Sequence, residues 1–250
     1  IIKLGEKQPL TDDDLYCGVL DYYEDWRRES EKDPRFAQHH EHLAPYSWAF
    51  GNDLVNMATY VATILFWQRP DQLHSGYSCI TTSAMVEAFL FSARAACDLL
   101  GTMLAYKAAK PKQAPKSLFD LIAWAKEHPE RVQPEIRELL SGDFEWFYKL
   151  RNLRDSLSHG VAFANIYHSD RQFYLWMIHV DGHEGRQPLL PILATQLTGI
   201  LSLANRSAAI INKLIDFPED KVKSKVVHGL LVPQLHELVR IAPDYAVPID

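Results

Sequence analysis

The sequence predicts a mainly α-helical protein: a helical bundle with a β-hairpin inserted before its last long helix, and extra helices at the N- and C-terminal ends. Three observations predict it. Apolar residues between Thr81 and Lys110 recur at intervals of three and four, which makes one helical face. The pattern then switches to aromatic and β-branched residues between Val161 and Val180, and helical spacing resumes from about Leu190 or Ala194 to Ile215. With 250 residues, 47% of them hydrophobic, the chain can bury a substantial core without a disulfide or a metal.

Taken in order, Thr11-Asp12-Asp13-Asp14 reads as a helix start, with Thr11 as cap and acids in the first turn, running to about Arg28. From Asp33 to Gly51 prolines, histidines and aromatics alternate without clear period, which suggests an ordered loop or short helical pieces. A second helix is expected from Asn52 to Gln68, before Pro70. Residues 1–75 thus read as a helical extension packed on the bundle, which itself takes 76–216. In the long helix Val86, Phe89, Leu90, Ala93, Cys97, Leu100 and Leu104 share the apolar face. Glu87, Arg94 and Asp98 lie beside it, as a polar seam along the core edge or, more simply, an i,i+4 ion pair at the surface.

Past a Lys/Pro connector, Ser117 can cap a helix through Lys126, and Pro134 can begin a shorter one through Leu140. Gly142 precedes a helix with the stripe Trp146, Leu150, Leu153 and Leu157, which Gly160 is placed to end. Val161–Tyr167 and Gln172–Val180 pair as a hairpin around His168–Arg171, so the hairpin occupies 161–180. After the closing helix, 217–250 hold a last helix from Lys223 to Val239 and a tail.

Composition removes several function classes. Cys17, Cys79 and Cys97 are odd in number and widely spaced, which fits a reduced, cytoplasmic setting and no zinc ribbon. Val55 to Trp67 is too short to span a bilayer, and Glu87, Arg94 and Asp98 interrupt Val86 to Tyr106, so no membrane helix is expected. Ile1 to Lys7 has no signal-peptide core, and the missing initiator Met suggests an incomplete N-terminus. A net charge of -6 argues against broad nucleic-acid coating but leaves room for a local basic groove. Lys107, Lys110, Lys112 and Lys116 form one acid-free patch, and Lys221, Lys223 and Lys225 a mixed one; each alone reads as a solvated connector.

Chemistry concentrates in Lys149 to Gly160. An arginine, a carboxylate and a histidine fall within six residues at Arg154, Asp155 and His159, a set able to hold a phosphate, orient an imidazole and move a proton. At about 100° per residue, Arg151, Asp155 and His159 share a stripe roughly opposite the leucines, with Arg154 and Ser158 on its flank. That stripe must face solvent, another segment or a partner subunit. Its plainer reading is a charged helix end, with basic residues on the dipole and Arg151 paired to Asp155.

Arg154-Asp155-Ser156-Leu157-Ser158-His159 resembles the R-x4-6-H motif of the HEPN superfamily, including the polar residue directly after the arginine. The helix order from about Gly76 to Ile215 also looks like the HEPN four-helix bundle. The resemblance implies a metal-independent endoribonuclease, without cofactor, whose site forms where two motif helices meet across a homodimer. His159 would then act as general base or acid at the ribose 2′-OH or the leaving oxygen. Arg154 would stabilise the phosphorane-like transition state, and Asp155 would hold His159 or Arg154 in place. Cleavage would leave a 2′,3′-cyclic phosphate, which requires RNA. Lys149, Arg151, Asn152 and Ser158 are the accompanying RNA-binding candidates, single-stranded RNA the expected substrate, and an antitoxin a partner for a toxin or defence protein. Many members of the superfamily are inactive, so a non-catalytic binding or dimerisation module is the alternative.

Other constellations say less. His39-His40-Glu41-His42 could ligate zinc or nickel, yet its spacing fits no helix-borne H-E-x-x-H site, and the reading is no specific metal. Asp181-Gly182, between His179 and His183, reads as a turn. Phe163, Tyr167, Phe173, Tyr174 and Trp176 could stack bases, although strand alternation turns half of them inward to pack on the bundle. G-x-x-x-x-G-K-[ST], G-x-G-x-x-G and G-x-S-x-G patterns are absent, which removes any sequence case for the chemistries they mark.

Overall fold

The computed structural model describes residues 26–69, 71–72, 76–108, 115–158, 165–169, 172–180, 183–217 and 238. The expected helix from Thr11 therefore lies outside them except for a helical stretch over 26–30, and the expected helix from Lys223 to Val239 except for Leu238, which is buried.

Helix α1 runs unbroken from Pro34 to Trp67, which corrects the loop or short helical pieces expected over Asp33 to Gly51 and the later helix start at Asn52. Its beginning is locally specified: Asp33 accepts the Arg35 N–H at 3.0 Å, and Pro34, with no N–H to satisfy, takes the first helical position. Phe36, Leu43, Ser47, Phe50, Leu54, Met57, Val61 and Ile64 are buried on one face, and from Leu43 onward their intervals alternate between four and three. Pro45 is tolerated because it sits on the exposed side. Glu41, whose carbonyl loses its donor, is exposed there too, so water can replace the bond.

Helix α2 spans Gly76–Ala108, starting earlier than the apolar spacing predicts. It is the central element. The seven residues expected on its apolar face are all buried, and burial extends to Thr82, Ala96, Met103 and Ala105 around most of its circumference. By length and composition it could cross a membrane, but 67% of its most apolar window is buried within the protein, as befits a bundle's inner helix.

Around α2 stand α3 (Leu118–Glu127), α5 (Glu145–Ser158) and α6 (Leu189–Leu214), while α4 (Pro134–Leu140) packs on α6 and α3, with a 3₁₀ turn at Pro129–Arg131 between α3 and α4. Ser117 caps α3 by accepting from Asp120 N at 3.1 Å, and Pro134 starts α4. Two glycines set the closest approaches. A methyl group on Gly101 of α2 would come within 2.7 Å of the Leu118 backbone, and one on Gly199 of α6 would run into the Trp146 indole of α5. The gathered core extends from Trp26, whose indole N–H donates to Asn212 Oδ1 at 2.8 Å, to Phe217 and Leu238.

Between α5 and α6 lies a three-stranded antiparallel sheet in the order β1 (Asn165–Ser169), β2 (Gln172–Val180) and β3 (His183–Pro188). The expected hairpin is thus a meander. Ser169 pairs with Gln172, so His168 and Ser169 belong to a strand and not to the turn expected there. Val180 pairs with His183, and the strand after Asp181-Gly182 went unforeseen. Residues 161–164, where the first strand was expected to begin, are outside the described residues. Phe173 and Leu175 are buried and Tyr174 is half-buried, the alternation of a strand lying on the bundle through α6 and α5.

Candidate functional site

Helix α5 carries the candidate site. Asp143 opens it by accepting the Glu145 N–H at 2.8 Å, and Trp146, Phe147, Leu150 and Leu153 bury its inner face. The Leu157 side chain, expected to extend that stripe, is outside the described residues. Because the apolar residues claim one side, the polar ones are turned the other way.

On that outer side Asp155 is gripped twice. Arg154 Nη1 donates to Oδ1 at 2.7 Å, and Arg151 Nε lies 3.6 Å from Oδ2, one helical turn before it. Two guanidinia on one carboxylate leave a net positive charge, the arrangement a phosphate oxygen would meet. The side chains are not free in solvent: those of Arg151, Arg154 and Asp155 are 36%, 30% and 32% exposed. The expected outward stripe meets other segments of its own chain. The Arg151 guanidinium carbon stands 3.9 Å from the centroid of the Phe119 ring on α3, and that of Arg154 stands 5.9 Å from Phe91 on α2.

The remaining expected residues are placed unevenly. Lys149 is turned one turn back to Glu145, with Nζ 2.6 Å from Oε1. Asn152 is half-buried on α5, and Ser158 ends the helix with its side chain outside the described residues. His159 and Gly160 lie outside the described residues; among those described, the structure brings together Arg151, Arg154 and Asp155. Phe91 and Phe119 were missed by sequence reasoning. Each reads as one apolar residue in a helix, and nothing in the spacing marks it as the surface under an arginine.

A second polar group underlies the site. Arg94 is buried, which corrects the expectation of an ordinary surface pair with Asp98. It donates through Nη1 to Asp98 Oδ1, and its guanidinium carbon is 5.0 Å from the Phe147 ring centroid of α5. The same Asp98 oxygen accepts the Leu118 N–H at 3.0 Å, so one carboxylate joins α2 to the first residue of α3. This is a seam along the core edge. It fixes α3, and with it Phe119 beneath Arg151.

The histidines of α1 are engaged with α2. His39 Nδ1 is 2.8 Å from the Tyr106 hydroxyl, and the His42 ring stacks on Tyr106 with centroids 4.0 Å apart. Among the described residues no three His, Cys, Asp or Glu side chains converge to hold a metal ion. The fold and this cluster define a helical-bundle protein with a small antiparallel sheet and a twice-gripped carboxylate on α5. Compared with models of protein families, with curated proteins and with solved structures, the chain matches none.

Proposed function

We propose that the chain is a metal-independent endoribonuclease of the HEPN type, acting on single-stranded RNA as a homodimer, in a toxin or defence role restrained by an antitoxin. The observation that carries this reading is the grip of Asp155 on Arg154 at 2.7 Å, five residues before His159. A guanidinium held in this way is oriented before substrate arrives, which is what stabilising a developing phosphorane requires. His159 takes the proton from the ribose 2′-OH, the 2′-oxygen attacks phosphorus, and the 5′-oxygen leaves with a proton from the second copy's histidine. The products are a 2′,3′-cyclic phosphate and a 5′-hydroxyl. Arg151, Lys149, Asn152 and Ser158 supply contacts to the strand.

A specific observation also favours the second reading, a non-catalytic binding or dimerisation module. Arg151 is held by both Asp155 and the Phe119 ring, and Arg154 by Asp155, so the arginines already have partners in their own chain. The test is incubation of the purified chain with single-stranded RNA in the presence of a chelator. Cutting that is lost in Arg154→Ala and His159→Ala, with the helical signal intact, supports the ribonuclease; equal cutting by both variants removes it.

A further inference from the structure

Where the first turns of α1 meet the last turn of α2, basic groups gather with no acid paired to them among the described residues. His39 and His42 come from α1, and Tyr106 and Lys107 from α2. Tyr106 organises them: its hydroxyl is 2.8 Å from His39 Nδ1, its ring stacks on His42 at 4.0 Å, and Lys107 Nζ stands 5.6 Å from the ring centroid. All four side chains are half-buried and so remain within reach of a solute. Among the described residues Lys107 has no carboxylate partner. Among the described residues the charges that act on His39 are those of Lys107 and His42, both of the same sign as its own protonated form.

The ionisation of the group reflects that imbalance. Burial, then Lys107, then His42 hold the His39 imidazole below the usual range, and burial alone lowers His42 and Lys107. Burial is the largest cause in each case, and an anion bound beside these groups would oppose it. The chain continues from Lys107 through Lys110 and Lys112 to Lys116 with no acidic residue between. A joint that served only to fasten two helices would hold as well with apolar side chains of similar volume.

We propose that this joint is a binding site for a phosphoryl anion, with Lys107 and the imidazoles of His39 and His42 supplying the positive charge and Tyr106 holding the imidazoles in place. A phosphoryl group suits the set because its anionic oxygens can accept from an ammonium and two imidazoles at once. Its source is either a free phosphate compound or a phosphodiester of a polynucleotide. Tyr106 lies about 22 Å along α2 from Phe91, the residue beside Arg154, at 1.5 Å per residue. The site is therefore separate from the Arg154 cluster and does not depend on that cluster being catalytic.

The test follows the imidazole signals of His39 and His42 by NMR in the full chain from about pH 5 to 8, with inorganic pyrophosphate and, separately, with a short single-stranded oligoribonucleotide. Binding should raise both imidazole titration midpoints by about one pH unit and should strengthen as pH falls through them. Lys107→Ala, at a half-exposed position near the helix end, should weaken binding about tenfold with unchanged helical content. Shifts with pyrophosphate support a site for free phosphate compounds; shifts with the oligonucleotide alone support a phosphodiester site. If neither ligand moves either midpoint, or if Lys107→Ala binds as well as the parent, the proposal is overturned, whatever the outcome of RNA cleavage.

Discussion

The Asp155 carboxylate accepts from Arg154 Nη1 at 2.7 Å although the two residues are neighbours in a helix, where successive side chains point about 100° apart. The arginine must fold back along the helix surface to make the bond. It is held there while its guanidinium carbon stays 5.9 Å from the Phe91 ring, so acid and aromatic together fix the direction of one cation.

Asp155→Asn should weaken that grip without emptying the space. A charge-assisted hydrogen bond is worth about 1.5–3 kcal/mol, so a guanidinium that needs it for position should lose about 10- to 100-fold in RNA cleavage rate. Single-turnover cleavage compared with the parent checks this, and an unchanged rate would remove Asp155 from the site. Thermal stability should move little, because the side chains are partly exposed.

Leu118 is served twice by α2: Asp98 accepts its N–H at 3.0 Å, and Gly101 leaves room for its backbone. Asp98→Ala removes the acceptor shared with buried Arg94 and should cost about 2–3 kcal/mol in denaturant unfolding. Gly101→Ala must push α3 away, because the obstruction is backbone and not a flexible side chain; a loss of about 1–3 kcal/mol is expected. A neutral result for both variants would mean that α3 is not pinned at this point.

Asp53 gives a pH signature. Half-buried on α1, its carboxyl is pushed up to about 6 by burial, from an ordinary value of 3.8. The folded state therefore holds the proton more tightly than the unfolded one. Its stabilising contribution is complete below about pH 4 and is lost as pH rises through about 6. Asp53→Asn should accordingly raise stability at pH 7 by about 1–2 kcal/mol, discounted for partial exposure, and by almost nothing near pH 4. Denaturation midpoints at the two pH values provide the check, and equal gains at both would contradict the account.

Much of the fold could be read because helical spacing is local. The α2 face from Val86 to Leu104, the capping by Ser117 and the start of α4 at Pro134 all follow from residues close in sequence. The first half of α1 could not be read so easily, because Pro45 and the histidines obscured the rhythm of Leu43, Ser47, Phe50 and Leu54. Only the exposure of Pro45 makes it harmless. Strand β3, His-Glu-Gly-Arg-Gln-Pro, has no β-branched residue, and its pairing with β2 defines it; the Asp181-Gly182 dipeptide before it was the available cue. The motif was legible as a set of residue types. Its aromatic floor was not, because Phe91 and Phe119 reach α5 through tertiary packing alone.

The end chemistry of the cut RNA tests the central claim most directly. The purified chain, incubated with single-stranded RNA and excess chelator, should release 5′ fragments whose mass is one water less than that of a linear 3′-phosphate, as a 2′,3′-cyclic phosphate requires. Arg154→Ala should release none. Fragments ending in a 3′-hydroxyl, or no fragments from the folded parent chain, would contradict the ribonuclease reading.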